Sequence, residues 1–151
     1  MADSSKTVLL VEDNADDELL ARKAFANMDF PHEVVVARDG EGALAYLYGS
    51  KGPTGVPGAS HPLVVLLDLN LPGISGLEVL KQIRLDARTK LFPVVVLSSS
   101  LQERDLVRSY SLGANSYIRK PVDFTEFEET VRQLASYWLQ RNQVPPDRGY
   151  A

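Results

Sequence analysis

The sequence predicts an α/β fold, a doubly wound parallel sheet of five strands carrying five helices. Five short apolar runs are mostly continuous rather than alternating. A strand covered by helices on both faces needs apolar residues at every position, so such runs suit a parallel sheet. Segments with helical spacing lie between the runs, and this fivefold alternation of strand and helix is the pattern of right-handed β-α crossovers. At 151 residues, with 44% hydrophobic and 24% charged, the chain has the size and composition of one globular domain with short appendages.

The first strand is expected at residues 7–11 and the first helix at 14–28. Asn14 can cap that helix, and Asp16 and Asp17 fall in its first turn, where the helix dipole favours anions. The second strand and helix follow at 34–37 and 42–48, the third pair at 63–67 and 76–85, the fourth at 94–97 and 102–112. The fifth strand is expected at 116–118 and the last helix at 123–140. In that helix Phe124, Phe127, Val131, Leu134 and Trp138 follow an i, i+3, i+7 course that one buried stripe explains, whereas Tyr137 and Leu139 lie off it. Residues 49–62, dense in Gly, Pro and Ser, read as an unusually long surface loop. An N-terminal arm (1–5), a domain (6–140) and a flexible tail (141–151) complete the expected organisation.

Composition removes several function classes. Sixteen Lys and Arg against twenty Asp and Glu give a net charge of −4, the wrong sign for holding a polyanion through counterion release, so nucleic acid is not expected as a partner. The absence of Cys excludes disulfides, thiolate metal sites and Cys nucleophiles. Residues 1–6 are polar and the first apolar run, Val8 to Val11, is too short for a signal core or a membrane span, so the expected compartment is the cytoplasm. His32 and His61 sit beside prolines without a second ligand at metal spacing and are assigned no role.

In open α/β sheets, ligands bind beyond the carboxyl ends of the strands, and the residues there are polar. Glu12 and Asp13 follow the first run, Asp68 the third, Ser98, Ser99 and Ser100 the fourth, and Arg119 and Lys120 the fifth. Three crowded carboxylates repel one another unless a cation is present, and hard oxygen ligands suit Mg²⁺. A divalent ion, a hydroxyl and a lysine around one carboxylate describe phosphoryl transfer, with Asp68 as nucleophile. Ser100 is expected to cap the fourth helix.

These residues resemble the receiver domain of two-component response regulators. The likeness rests on Glu12-Asp13, the D-L-N-L-P-G run from Asp68 to Gly73, Ser98, and Lys120-Pro121, and it spans about residues 6–139. It implies a flavodoxin-like sheet of order 2-1-3-4-5. It further implies Asp68 as phosphoacceptor, Mg²⁺ held by Glu12, Asp13, Asp68 and the backbone carbonyl of Asn70, and Lys120 against the phosphoryl group. Ser98 resembles the hydroxyl that turns towards the phosphoryl oxygen, and Tyr117 the aromatic switch behind it. Ser99 stands where a smaller residue is frequent, which narrows the room for the phosphoryl group. A cis peptide at Lys120-Pro121 is also implied. The extended loop, the P-V-V-V-L-S-S-S run and the S-Y-W-L end of the last helix are similar to small regulators that serve cyanobacterial phytochrome-type histidine kinases. The implied partners are a histidine kinase, of the bacterial phytochrome type under this narrower likeness, and a second copy of the chain. The homodimer would use the fourth helix, fifth strand and fifth helix, with Leu106, Val107, Tyr110, Phe127, Tyr137, Trp138 and Leu139 as candidate contacts. No membrane partner is expected.

An aspartyl-phosphate phosphohydrolase is the competing class, since it too combines a strand-end Asp with Mg²⁺, a hydroxyl and a Lys. Such enzymes have a second Asp two residues on as general acid; here that position is Asn70, which cannot donate a proton in that way. A flavodoxin-like cofactor binder would need a phosphate-cradling loop after the first strand, where Glu12, Asp13 and Asn14 stand instead.

Overall fold

Alternate residues of the central strands bury themselves in two different cores, one on each side of the sheet. In the computed structural model, which describes residues 6–49, 52 and 61–145, the chain runs β1 (Lys6–Val11), α1 (Ala15–Ala26), β2 (His32–Ala37), α2 (Gly40–Tyr48), β3 (Val64–Leu67) and α3 (Gly76–Leu85). It continues through β4 (Val94–Ser98), α4 (Glu103–Ser111), β5 (Ser116–Arg119) and α5 (Phe124–Ser136) into a π-turn at Tyr137–Arg141. All strands are parallel in the order β2-β1-β3-β4-β5, the doubly wound arrangement the sequence implies. Leu9, Val11, Val65, Leu67, Val94 and Val96 face α2 and α3, meeting Ala43, Leu47, Val79, Leu80 and Ile83. Val8, Leu10, Val64, Leu66, Val95 and Leu97 face α1 and α5, meeting Ala24, Phe25, Phe127, Val131 and Leu134. Period-2 geometry on a sheet covered on both sides is why these strands had to be continuously apolar.

Four of the five α-helices start where the sequence offers a side-chain cap. Asn14, Asp39, Ser75 and Asp123 accept the N–H of Asp17, Gly42, Glu78 and Glu126 through their side chains. At α4 the capping residue is Gln102, with no side-chain cap bond, so Ser100 is not the cap. Ser100 acts one step earlier: its hydroxyl accepts the Gln102 N–H at 3.2 Å and donates to Asp105 Oδ2 at 2.6 Å. His32 opens β2, with the Phe25 and Phe30 rings beside it.

The last helix departs from the expected stripe. Phe127, Val131 and Leu134 are buried, but Phe124 is exposed, Trp138 is half-buried and Leu139 is buried in the core. At the helix end the π-turn has wider winding, so Leu139 follows Leu134 at i+5 on the inner face; the Asn142 N–H closes this turn on Tyr137 O at 2.8 Å. The Lys6 ammonium donates to Leu139 O at 2.7 Å, fastening the turn to the start of β1. Phe127 and Leu139 therefore fill the domain's own core and present no surface to a second copy, contrary to expectation.

The Lys120–Pro121 bond is trans, since no cis peptide occurs among the described residues, which corrects the implied cis bond. Lys120 is aimed instead by the sheet, because its N–H donates to Ser98 O at 2.8 Å and continues the β4-β5 ladder by one residue. The arm 1–5, most of the 49–62 loop and residues 146–151 of the tail lie outside the described residues.

Candidate functional site

Three backbone hydrogen bonds at the ends of the ladders bring the polar residues together. The Glu12 N–H donates to Ala37 O at 2.9 Å, the Asp68 N–H to Val11 O at 3.1 Å and the Lys120 N–H to Ser98 O at 2.8 Å. Each residue is thus the first beyond its strand, held in register by the neighbouring strand. Val11 pairs with Leu67, so Glu12 and Asp68 come side by side at the carboxyl edge. Carboxylate oxygens of Glu12, Asp13 and Asp68 lie within 4.8 Å of one another. Glu12 and Asp68 are buried and Asp13 is exposed, so the cluster forms a well with one open wall.

Lys120 fills the inner side of that well. Its ammonium lies 2.8 Å from Glu12 Oε1, 3.0 Å from Asp68 Oδ2 and 2.9 Å from Asp17 Oδ2. Burial works against the charge on Lys120, but the hydrogen bonds to Glu12 and Asp17 and the charge of Asp68 outweigh it and hold the ammonium above the usual lysine range. Burial also pushes the Glu12 carboxyl up to about 7, against the lowering pull of Lys120 and with a further push from Asp68. A buried carboxylate that is costly to ionise, beside two more carboxylates and only one ammonium, is a donor set that a dication would stabilise. The residues present fit a hard divalent ion.

Asp68 uses both oxygens, Oδ2 with Lys120 and Oδ1 as acceptor of the Asn70 N–H at 3.2 Å. The Asn70 contact to Asp68 is through that N–H; the residue itself is exposed. Gly76 sits so close behind that a Cβ there would collide with the backbone carbonyl of Asp68, and its N–H donates to Leu69 O at 3.0 Å. Ser98 is fully buried at the end of β4, and its hydroxyl accepts the Ser100 N–H at 3.1 Å. Ser99 is exposed and Pro121 half-buried. Tyr117 packs inward against the α2-α3 core, and its hydroxyl is buried without a hydrogen-bond partner among the described residues.

The structure brings together Glu12, Asp13, Asp68 and Lys120, with Ser98 at the end of the adjoining strand. The interface candidates lie elsewhere: Val107, Tyr110 and Tyr137 are exposed, and Leu106 and Trp138 half-buried. The residue that sequence reasoning missed is Asp17, read only as a dipole-favoured acid of the first turn. The capped start of α1 brings it into contact with Lys120, 103 positions away, which no local pattern announces.

Comparison with known proteins matches the family described as response regulator receiver domain over residues 8–132. The chain belongs to this family. Among relatives of this receiver domain, the probable methanogenesis regulatory protein FilR2 of Methanothrix harundinacea is 43% identical over 91% of this chain and 86% of its own length. Response regulator Rcp1 of Synechocystis sp. is 36% identical over 96% of this chain and 99% of its own. Among solved structures, the phosphorylated cyanobacterial phytochrome response regulator RcpA is similar with a TM-score of 0.85 and 43% identity, over 94% of this chain and 99% of that one. The Mn²⁺-bound form of Rcp1 follows with a TM-score of 0.83 and 35% identity, over 93% and 99% of the two chains. The phosphohydrolase reading is not favoured: the match is to a signalling receiver domain, and Asn70 occupies the position of the second Asp. No helix among the described residues is long and apolar enough to cross a membrane.

Proposed function

We propose that this receiver domain acts as a response regulator, taking a phosphoryl group onto Asp68 from the phosphohistidine of a histidine kinase in a Mg²⁺-dependent step. The observation that carries the reading is the convergence of Glu12, Asp13 and Asp68 within 4.8 Å, with the Lys120 ammonium 3.0 Å from Asp68. Glu12, Asp13, Asp68 and the Asn70 carbonyl would hold the ion, which supplies charge neutralisation for the transferring phosphoryl oxygens. Asp68 Oδ forms the new P–O bond as the donor's P–N bond breaks. Lys120 already faces Asp68 and offsets the negative charge that accumulates there. Hydrolysis of the resulting acyl phosphate by the domain itself belongs to the same reading.

Ser98 and Tyr117 are the residues through which the phosphorylated state would reach the α4-β5-α5 surface. The fully buried Ser98 and the unpartnered Tyr117 hydroxyl support this, because both can acquire a new hydrogen bond only if local structure shifts. Ser99, exposed beside them, and Pro121 frame the entrance. The similarity to the cyanobacterial phytochrome response regulator RcpA supports a phytochrome-type kinase as donor. A homodimer through Leu106, Val107, Tyr110, Tyr137 and Trp138 completes the proposal.

The deciding experiment is labelling by a small-molecule phosphodonor with and without Mg²⁺, in wild type and Asp68→Asn. Mg²⁺-dependent label on wild type alone is expected. Equal label on the variant would overturn the assignment of Asp68, and label indifferent to Mg²⁺ would overturn the metal reading.

A further inference from the structure

We propose that Asp17 is a positioning residue, which holds the Lys120 ammonium when a divalent cation takes Glu12 and Asp68. The inference deepens the proposed function and rests on its metal reading. Lys120 Nζ touches three carboxylates, at 2.8 Å (Glu12), 2.9 Å (Asp17) and 3.0 Å (Asp68). Two of these also belong to the cluster within 4.8 Å, whereas Asp17 stands outside it. An ammonium and a dication therefore claim the same two carboxylates, Glu12 and Asp68, and the two cations repel each other.

The Lys120 side chain is only 7% exposed, so it cannot move into water without rearrangement. Asp17 is 25% exposed and stands at the rim of the same well. It offers a carboxylate that the cation does not use, so Lys120 can keep one full charge-assisted bond while loosening its hold on the other two. The geometry of α1 fixes this rim position: Asn14 Oδ1 accepts the Asp17 N–H at 2.9 Å, and the Asn14 N–H donates to Glu12 Oε2 at 3.1 Å. Metal ligand and rim acid are thereby tied to one helix start.

Mn²⁺ binding, followed by water-proton relaxation in the full chain without any phosphodonor, tests this. Asp17→Asn is expected to weaken Mn²⁺ binding about 10-fold, the size usual for residues that orient a metal's ligands. Asp17→Glu should restore most of it, and Asp16→Asn, which removes the same charge from the same turn, should change it little. In a Lys120→Ala background the Asp17→Asn effect should vanish, because there is no ammonium left to hold. Unchanged binding in Asp17→Asn, or an equal loss in both backgrounds, overturns the proposal. Wild-type protein that binds no Mn²⁺ at all would instead overturn the metal reading beneath it.

Discussion

Gly76 illustrates how tightly the phosphoacceptor is built from behind. The turn from Asp68 to α3 folds back until the Gly76 backbone meets Asp68 and Leu69, leaving no space for even a methyl group. Gly76→Ala should cost about 1–3 kcal/mol, as overpacking does, and should slow labelling of Asp68 as well. Urea unfolding and a labelling time course measure the two effects; a variant with wild-type values in both would mean the turn relaxes freely. The site residues legible in the sequence were those one position beyond an apolar run, because strand pairing alone determines where they go. Glu12, Asp68 and Lys120 are of this kind. Asp17 was not legible, since its contact with Lys120 spans 103 positions and depends on how α1 leaves the sheet. Gly76 was equally silent: a close approach of backbone to backbone leaves no mark in composition.

Helix α1 makes a second use of its acidic start. Glu18 is buried and accepts from Arg22 at 2.9 Å and from Arg38 at 2.8 and 3.0 Å, linking α1 to the end of β2. Burial raises the Glu18 carboxyl, but the two guanidinium groups outweigh it and hold it below its ordinary 4.5. A carboxyl lowered in the folded state contributes stability above its unfolded pKa, and loses it as pH falls through the folded value. Both arginines are largely exposed, at 46% and 67%, so the contribution is that of a screened pair, about 1 kcal/mol or less. Glu18→Gln should therefore be less stable by about that amount at pH 7, with the gap closing below pH 4.5 in urea titrations. A gap of the same size at pH 3 would count against the ion pairs. At this scale the sequence was informative wherever a cap residue preceded a periodic run, as at Ser75, whose α3 has the expected bounds 76–85. It was uninformative where a side chain staples separate elements. Arg84 donates to the carbonyls of Lys90, Phe92 and Gly113 and to Asn115 Oδ1, tying the end of α3 to the approaches of β4 and β5, yet it reads as an ordinary helix-end cation.

In the molecule as a whole, exposed apolar groups include a set on and beside α4 and α5, besides Leu19, Leu85 and Leu91 elsewhere. Val107 and Tyr110 on α4, Val122 before α5, Phe124 at its start and Tyr137 just past its end are all exposed. A specific dimer buries about 800 Å² on each partner, and aromatic anchors dominate its affinity. Val107→Ala with Tyr137→Ala should weaken self-association, measured by sedimentation, and leave unfolding unchanged. Leu139→Ala should do the opposite, costing about 2–5 kcal/mol of stability as a large-to-small change in a core. A wild-type monomer, with and without a phosphoryl mimic, would rule out the dimer. The fold itself was legible because a doubly covered parallel sheet forces continuous apolar runs. The phase of the last helix was not, because a regular period cannot announce where it will be interrupted.

That interruption changes what the end of the chain can tolerate. A π-turn holds one residue more than the α-turn it replaces, so Tyr137–Arg141 carries a spare position while Leu134 and Leu139 still share a face. Losing a residue such as the exposed Tyr137 would let the turn tighten to ordinary α-winding with Leu139 still inward, whereas losing Gln133 would swing Leu134 out of the core. Length variation, normally confined to loops, has here a place inside a helix, and the bond from Lys6 to Leu139 marks the point beyond which the register no longer shifts.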